Sequence, residues 1–185
     1  MFVANQINQK SEKSNLLSQN IVFIDSQIDN YQFLTSGIYR GINVVVIPQN
    51  QDGIEVITAN LEKYRNSEQK LDAIHILSHG SRGSLKLGNI FLNQDTIKLY
   101  KNQIQKWQAA LNTTADILLY GCQVAAGIGK NFVQKLHQLT QANIAASVNL
   151  TGAYPGDWNL GFSTGKITAP KILIPETMAS YNGYN

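Results

Sequence analysis

The sequence predicts an α/β fold: a three-layer α/β/α sandwich with a mostly parallel central sheet. Two observations predict it. Short continuous apolar runs recur along the chain, as in IVFID at Ile21–Asp25, and such runs are typical of strands buried on both faces of a sheet. Segments with helical spacing of apolar residues separate these runs, and strands that alternate with helices form parallel sheets covered on both faces.

Each element has its own local signal. In Asp52–Asn66 the apolar residues recur every three or four positions, which is typical of a helix with one buried face. Ser84–Asn93 alternates on either side of Gly88-Asn89, which favours a two-residue hairpin. After residue 147 we expect only short β-like pieces such as WNLGF and KITAPKILIP. In chain order we predict strands at Ile21–Asp25, Asn43–Pro48, Ala73–Ser78, Asp116–Tyr120 and Asn143–Ser147, and helices within Gln27–Tyr39, at Asp52–Asn66, from Asp95 to about Leu111, and at Gly129–Thr140.

The length and charge of the chain narrow the class of protein. A chain of 185 residues suits one domain with a sizeable core. We expect residues 1–20, rich in Asn, Gln and Ser, to be a flexible polar leader and residues 21–185 to form the domain. The net charge of +3 is small, and the lysines and arginines are scattered along the chain. We therefore expect no nucleic-acid partner. We expect a monomer.

No targeting or membrane segment is recognisable. No apolar run approaches the roughly 20 residues of a membrane-spanning helix. The first 20 residues lack the continuous apolar core and the small-residue cleavage site of a signal peptide. The sequence is therefore compatible with the cytoplasm and with export by a route that needs no N-terminal signal peptide.

Two of the predicted strands end in residues whose side chains suit catalysis. The third strand ends in Ser78-His79-Gly80 and the fourth in Tyr120-Gly121-Cys122, which is the single cysteine of the chain. The connection between these strands is long enough for a right-handed crossover between neighbours. Since parallel neighbouring strands end at one edge of a sheet about 4.8 Å apart, we expect His79 and Cys122 to face one cleft.

A histidine and a cysteine in one cleft suit nucleophilic catalysis. A nearby imidazole raises the thiolate fraction of a cysteine, and the thiolate is the nucleophile. The backbone N–H groups of Gly80 and Cys122 could form an oxyanion hole for a reacting carbonyl. Gly80 and Gly121 would permit close approach of a substrate to the backbone. The alternative is structural: a lone cysteine after a strand is often a small buried hydrophobe, and a histidine there a polar terminus.

Other chemistries have weaker signals. The first strand is not followed by G-x-G-x-x-G and no P-loop pattern occurs, so we expect no nucleotide cofactor. His75 and His79 are spaced as in H-x-x-x-H, but a zinc protease motif needs a glutamate after the first histidine, where Ile76 stands. With His137 isolated on a predicted helix and one cysteine in the chain, we expect no metal and no disulfide.

The paired motifs HILSHG and ILLYGC resemble those of the caspase-like cysteine peptidases of clan CD. More closely, the span from IVFIDS to the end of the chain resembles an uncharacterised bacterial domain. That domain is found near the N-terminus of large surface proteins with cadherin-like and calcium-binding repeats. The resemblance implies a caspase–hemoglobinase fold and a catalytic dyad of His79 and Cys122, without a third orienting residue.

The resemblance also implies where a peptide substrate would bind. The positions that match the clan's substrate pocket are Asp25, Tyr120 and Ser147. Asp25 at its floor would favour cleavage after Arg or Lys by charge pairing; alternatively, Asp25 is a turn or helix cap. We expect Asp157 and Trp158 to form a further wall of this pocket; alternatively, Trp158 belongs to the core.

The function expected from these observations is that of a cysteine endopeptidase acting on a protein or peptide after a basic residue. Self-processing is one form of this activity, with the leader or Lys171–Glu176 as the place of the cut. The alternative is a catalytically inactive caspase-like interaction module that keeps the motif for packing.

Overall fold

A computed structural model of the chain describes residues 19–185. The expected leader, residues 1–20, lies outside the described residues apart from Gln19 and Asn20, and Asn20 already belongs to the first strand.

The fold is α/β and is organised around a mainly parallel sheet of six strands. The sheet order is β2-β1-β3-β7-β8-β9, and every neighbouring pair is parallel except β8 with β9. The predicted alternation of strands and helices is thus confirmed. The six strands are β1 (Asn20–Asp25), β2 (Asn43–Ile47), β3 (Leu71–Leu77), β7 (Leu111–Tyr120), β8 (Asn143–Ala146) and β9 (Phe162–Ser163).

A second, antiparallel sheet follows β3 directly. It contains β4 (Gly80–Ser81), β5 (Ser84–Leu87) and β6 (Ile90–Asn93), in that order. The β5–β6 hairpin turns at Gly88-Asn89 as predicted, and Gly88 adopts the left-handed φ of 60° that suits glycine in such a turn. The pairing of β4 with β5 has no counterpart among the predicted elements.

Five α-helices connect or flank the strands within residues 19–185. The second begins after Asp52, whose side chain accepts hydrogen bonds from the Ile54 and Glu55 N–H groups and so caps the helix. The helix expected from Asp95 starts later, because residues 94–100 form turns. The helices are α1 (Tyr31–Ser36), α2 (Gly53–Leu61), α3 (Lys101–Lys106), α4 (Gly129–Thr140) and α5 (Pro175–Ser180).

The central sheet has an apolar cluster on each face. Successive residues of β1 alternate between the clusters: Ile21 and Phe23 belong to one, and Val22 and Ile24 to the other. This is the period of two that a strand buried on both faces requires. The first cluster includes apolar residues of α2, α3 and α4, while the second includes Leu34 of α1 and residues of the C-terminal segment.

Asp116 fixes the course of the C-terminal segment. This fully buried carboxylate on β7 accepts hydrogen bonds from the Thr168 N–H at 2.7 Å and the Ala169 N–H at 2.8 Å. The Thr168 hydroxyl donates to the same oxygen at 3.1 Å. The segment that the sequence predicts as short β-like pieces therefore runs mostly as irregular chain, and Asp116 ties it to the sheet in addition to the pairing of β8 with β9.

Within residues 19–185 no helix is long and apolar enough to cross a membrane.

His75 lies in the centre of the sheet and is completely buried. Its Nε2 is 3.0 Å from Asn20 Oδ1, which accepts, and its Nδ1 has no hydrogen-bond partner. The ring stacks on that of Tyr120 with centroids 6.1 Å apart. Burial disfavours the charged imidazolium and lowers the pKa of His75 to about 3.

This burial makes folding stability depend on pH. The unfolded chain binds a proton at His75 below its ordinary pKa of about 6.5, while the folded chain remains neutral until about pH 3. The free energy of unfolding should therefore fall as pH drops from 6.5 toward 3, by up to about 1.4 kcal/mol per pH unit from this group. Denaturant titrations between pH 7 and 4 should show a shallower dependence in His75→Gln. Equal slopes in both proteins would contradict this account.

Candidate active site

His79 and Cys122 lie at the same edge of the central sheet. The register of β3 and β7 pairs Leu77 with Tyr120, so each of the two residues lies two positions beyond the last pair. The Ser78 N–H donates to Tyr120 O at 3.4 Å, which extends the contact past the strands. The two strand ends are therefore neighbours, as predicted.

The two strand ends are in direct backbone contact. A Cβ atom at Gly80 would lie 2.9 Å from Cys122 N and 2.8 Å from Gly121 C. At Gly121 it would lie 3.1 Å from Ser78 O. A side chain at Gly80 would therefore push the two segments apart, and this is a physical reason for glycine beside the histidine.

The Gly80 N–H is not used by the antiparallel sheet. Gly80 lies opposite Leu85, and the Lys86 N–H donates to His79 O at 2.9 Å. The ladder bonds thus flank the Gly80–Leu85 pair, which makes it a non-hydrogen-bonded pair. The N–H of Gly80 therefore points away from β5.

The sulfur of Cys122 is buried and hydrogen-bonded. The residue is 8% exposed. The Thr151 N–H donates to Sγ at 3.3 Å, and Sγ lies 3.8 Å from Thr151 O. The donated hydrogen bond would stabilise a thiolate in the same position, because hydrogen bonds to charged acceptors are the stronger ones.

A strained turn holds Cys122 at the strand end. Gln123 has a φ of 59°, which is uncommon for a residue other than glycine. The turn is fixed because the Gln123 N–H donates to Asn149 O at 2.8 Å and Gln123 O accepts from the Ala126 N–H at 2.8 Å. Helix α4 begins at Gly129, so Cys122 precedes the helix by a turn of the chain rather than capping it.

The ring of His79 is oriented by a backbone carbonyl. Its Nε2 lies 3.0 Å from Gln27 O. A carbonyl oxygen only accepts, so Nε2 carries the hydrogen and Nδ1 is the atom that can gain or release a second proton. Among the hydrogen bonds of residues 19–185, none joins His79 directly to Cys122.

Asp25 supports the turn that orients His79. Its fully buried carboxylate accepts from the Gln27 N–H at 2.8 Å, the Gln27 side-chain amide at 3.1 Å and the Gly88 N–H at 2.5 Å. Both oxygens are therefore engaged within the protein. Of the two roles predicted for Asp25, substrate recognition and capping, these contacts fit capping.

Tyr120 and Ser147, the other two predicted substrate-binding residues, are also buried. The Ser147 hydroxyl donates to Asn149 O at 2.8 Å and accepts from the Asn149 N–H at 3.2 Å, so it shapes the loop after β8. Tyr120 packs between His75 and Trp158, and burial raises its pKa. The Ser147 hydroxyl is therefore engaged within the protein, whereas Tyr120 lines a cavity with Trp158 and Lys171.

Trp158 lines an open cavity of about 460 Å³ beside the strand ends. Its ring lies 5.7 Å from that of Tyr181, and its indole N–H donates to Met178 O at 3.2 Å. Gly152 and Lys171 line the same cavity. Trp158 is thus partly buried and lines this cavity together with Asp157, but neither His79 nor Cys122 is among the lining residues.

The backbone N–H of Cys122 is hydrogen-bonded to Asn185. This N–H, one of the two predicted oxyanion-hole donors, donates to the main-chain oxygen of Asn185 at 2.9 Å. The Asn185 N–H in turn donates to Thr151 O at 3.0 Å. The end of the described chain therefore lies against the backbone of Cys122.

Within the described part of the chain, no group of three or more His, Cys, Asp and Glu residues is arranged to hold a metal ion.

A family model described as "Domain of unknown function (DUF4347)" matches residues 21–184 of the chain. The chain belongs to this family. A search of the curated proteins found no match.

The DUF4347 match covers both strand ends and the loop that contacts the sulfur. His79, Cys122 and Thr151 all lie inside it, so the site is part of the family's domain. The description assigns the DUF4347 family no activity, and the resemblance to clan CD peptidases stays a prediction.

Three site residues of this DUF4347 domain carry no signal in the sequence. Gln27 contacts His79 and Asn185 contacts Cys122 through main-chain oxygens. Thr151 contacts the sulfur through its backbone N–H. Any residue type offers such groups, so composition and spacing do not reveal them.

The capping role of Asp25 can be tested with Asp25→Asn. The amide keeps the volume but replaces one acceptor by a donor, so one buried N–H loses its partner. We expect the free energy of unfolding to fall by about 1–3 kcal/mol in denaturant titrations. Asp29→Asn, at an exposed carboxylate of the same loop, should change it by less than about 0.5 kcal/mol. An unchanged stability in Asp25→Asn would show that the carboxylate is not needed for the turn.

Proposed function

We propose that this DUF4347 domain is a cysteine endopeptidase of the caspase–hemoglobinase type, a three-layer α/β/α sandwich in which Cys122 is the nucleophile and His79 the general acid and base. The two apolar clusters on opposite faces of the sheet support the three-layer arrangement. The family assignment neither adds to this proposal nor opposes it.

One observation carries the proposal. A main-chain oxygen, that of Asn185, already lies 2.9 Å from Cys122 N. Donors that stabilise an oxyanion lie about 2.7–3.1 Å from the oxygen they serve. The Cys122 N–H thus donates to a main-chain oxygen at a distance that suits an oxyanion-hole donor, and the Gly80 N–H is not used by its own sheet; both observations support the proposal.

The acylation step follows from these positions. The Cys122 sulfur, as a thiolate, attacks the carbonyl carbon of the scissile peptide bond, and the C–S bond forms while the carbonyl oxygen gains the negative charge. The N–H groups of Cys122 and Gly80 stabilise that charge. His79, protonated at Nδ1, gives its proton to the leaving amine, so the C–N bond breaks and a thioester remains.

Deacylation returns the site to its first state. A water molecule attacks the thioester carbon while Nδ1 of His79 takes one of its protons. The tetrahedral intermediate collapses with cleavage of the C–S bond, which releases the carboxylic acid half of the substrate and regenerates the thiolate beside a protonated His79. The hydrogen bond from Nε2 to Gln27 O holds the ring in one orientation through both steps.

The expected preference for Arg or Lys receives no support from the contacts of Asp25. Its oxygens accept hydrogen bonds from Gln27 and Gly88, and charge pairing needs a carboxylate that the substrate can reach. The preference stays a prediction that rests on the family resemblance alone.

The alternative, an inactive interaction module, is favoured by one observation: Cys122 is 8% exposed. A buried thiol used for packing would have the same exposure. The peptidase is the better account because packing alone does not require an N–H donated to the sulfur beside an oriented imidazole.

Activity is tested on fluorogenic peptides with Arg, Lys, Asp or Asn before the cleaved bond. Because Asn185 covers Cys122, both the full chain and a form lacking residues 182–185 are assayed. We expect Cys122→Ala to abolish turnover and His79→Gln to reduce it by about 10²- to 10⁴-fold, which is the usual contribution of general acid–base catalysis.

The matched control is His137→Gln, which changes a histidine of α4 whose ring contacts Ala142 O. It should leave turnover unchanged. If neither form of the chain hydrolyses any of the peptides in a way that depends on Cys122, the peptidase proposal fails.

A further inference from the structure

Residues 181–185 form an extended segment with two distinct faces. Tyr181, Gly183 and Asn185 are buried, whereas Asn182 and Tyr184 are exposed. This alternation is the period of two that a peptide in strand conformation shows when one side lies against a protein.

The segment pairs with residues 151–153 in the antiparallel orientation. Gly152 and Tyr184 form an antiparallel bridge. On either side of it, the Ala153 N–H donates to Gly183 O at 2.9 Å and the Asn185 N–H donates to Thr151 O at 3.0 Å. Peptide ligands bind to exposed sheet edges in this way.

The loop that receives the segment is shaped for it. Gly152 has a φ of 125°, and a Cβ atom there would lie 2.3 Å from Gly183 O. Only a residue without a side chain both adopts this backbone and lets the segment approach. At the other end, Tyr181 anchors the segment through its hydroxyl, which donates to Asp29 O at 3.0 Å.

The main-chain oxygen of Asn185 accepts a hydrogen bond from the Cys122 N–H, but the Asn185 side chain has a buried polar group without a hydrogen-bond partner. The residue is 1% exposed, and its Nδ2 has no hydrogen-bond partner; neither has the buried Thr151 hydroxyl. Two unpartnered polar groups in one buried place make the bound arrangement less stable than a fully satisfied contact.

We propose that Tyr181–Asn185 is an internal peptide ligand of the Cys122 cleft. It lies where the acyl half of a peptide would lie, with Asn185 at the residue whose carbonyl the sulfur would attack. The cleft is closed while the segment is bound and opens when residues 182–185 leave and Tyr181 stays in place. The placement of an acyl half rests on the proposed function, whereas occupation of the cleft does not.

The proposal implies that Cys122 becomes accessible when the segment leaves. Local opening of this kind involves only a few hydrogen bonds and requires far less free energy than global unfolding. Two variants remove the ligand in different ways: deletion of residues 182–185, and Gly183→Val. A Cβ atom at Gly183 would lie 2.7 Å from the Tyr181 hydroxyl and 3.1 Å from Asp29 Cβ, so valine forces the segment out.

The readout is the rate at which iodoacetamide labels Cys122, the single cysteine of the chain. We expect both variants to be labelled at least about tenfold faster than the full chain, with unchanged circular dichroism. The matched control, Asn182→Ala, alters the exposed face of the same segment and should be labelled at the rate of the full chain. The free peptide Asn-Gly-Tyr-Asn, which matches the deleted residues 182–185, should slow labelling again when it is added at millimolar concentration to the deletion variant.

Two results would overturn the proposal. One is an unchanged labelling rate in both variants. The other is faster labelling that the peptide does not suppress, because this indicates general loosening rather than loss of a ligand. The readout needs no turnover: fast labelling without peptide hydrolysis refutes the peptidase and keeps the ligand, while Cys122-dependent hydrolysis with unchanged labelling does the reverse.

Discussion

The contact between the backbone at Gly80 and the backbone at Gly121–Cys122 is the constraint on which the candidate site depends. The parallel register of β3 and β7 brings the two strand ends level, but register alone leaves room for a side chain between them. The absence of Cβ atoms at Gly80 and Gly121 closes that gap. As a result, one histidine, one thiol and two N–H groups lie directly after two buried strands, at one edge of the sheet.

Hydrogen bonds from the surrounding loops then fix the reactive groups on this edge. Asp25 holds the turn of Gln27, whose carbonyl orients His79. The loop after β8 does the same for the cysteine, because Thr151 reaches the sulfur and Asn149 holds Gln123. The loops that contact the two reactive residues are therefore themselves tied to buried polar side chains, Asp25 in one case and Ser147 in the other. This is the support that a preorganised site needs.

Much of this could be predicted from the sequence, and the reason is physical. Strands buried on both faces must be continuously apolar, so the runs at Ile21–Asp25 and Asp116–Tyr120 were visible, and with them the edge where His79 and Cys122 meet. Helix α4 was visible because its apolar residues recur on one face. The two-residue β4 was not, since its pairing with β5 depends on where the chain goes after His79 and not on its own composition.

The roles of buried polar residues were the hardest to predict. An aspartate at a strand end suits a substrate pocket or a cap equally well, and only the partners of Asp25, Gly88 among them, separate the two. The same holds for Ser147. Contacts made through main-chain atoms, such as those of Thr151 and Asn185, do not depend on the residue type, so the sequence does not predict them.

The aromatic cluster beside the cleft has an optical consequence. The chain has two tryptophans: Trp107 is fully buried on one face of the sheet, while Trp158 is partly exposed and lies 5.7 Å from the ring of Tyr181. Tyr181 is also the residue from which the segment over Cys122 departs. Indole emission from Trp158 therefore depends on the anchor of that segment, whereas that of Trp107 depends on the core. The two tryptophans thus report separately on the packing around Tyr181 and on the core of the sheet.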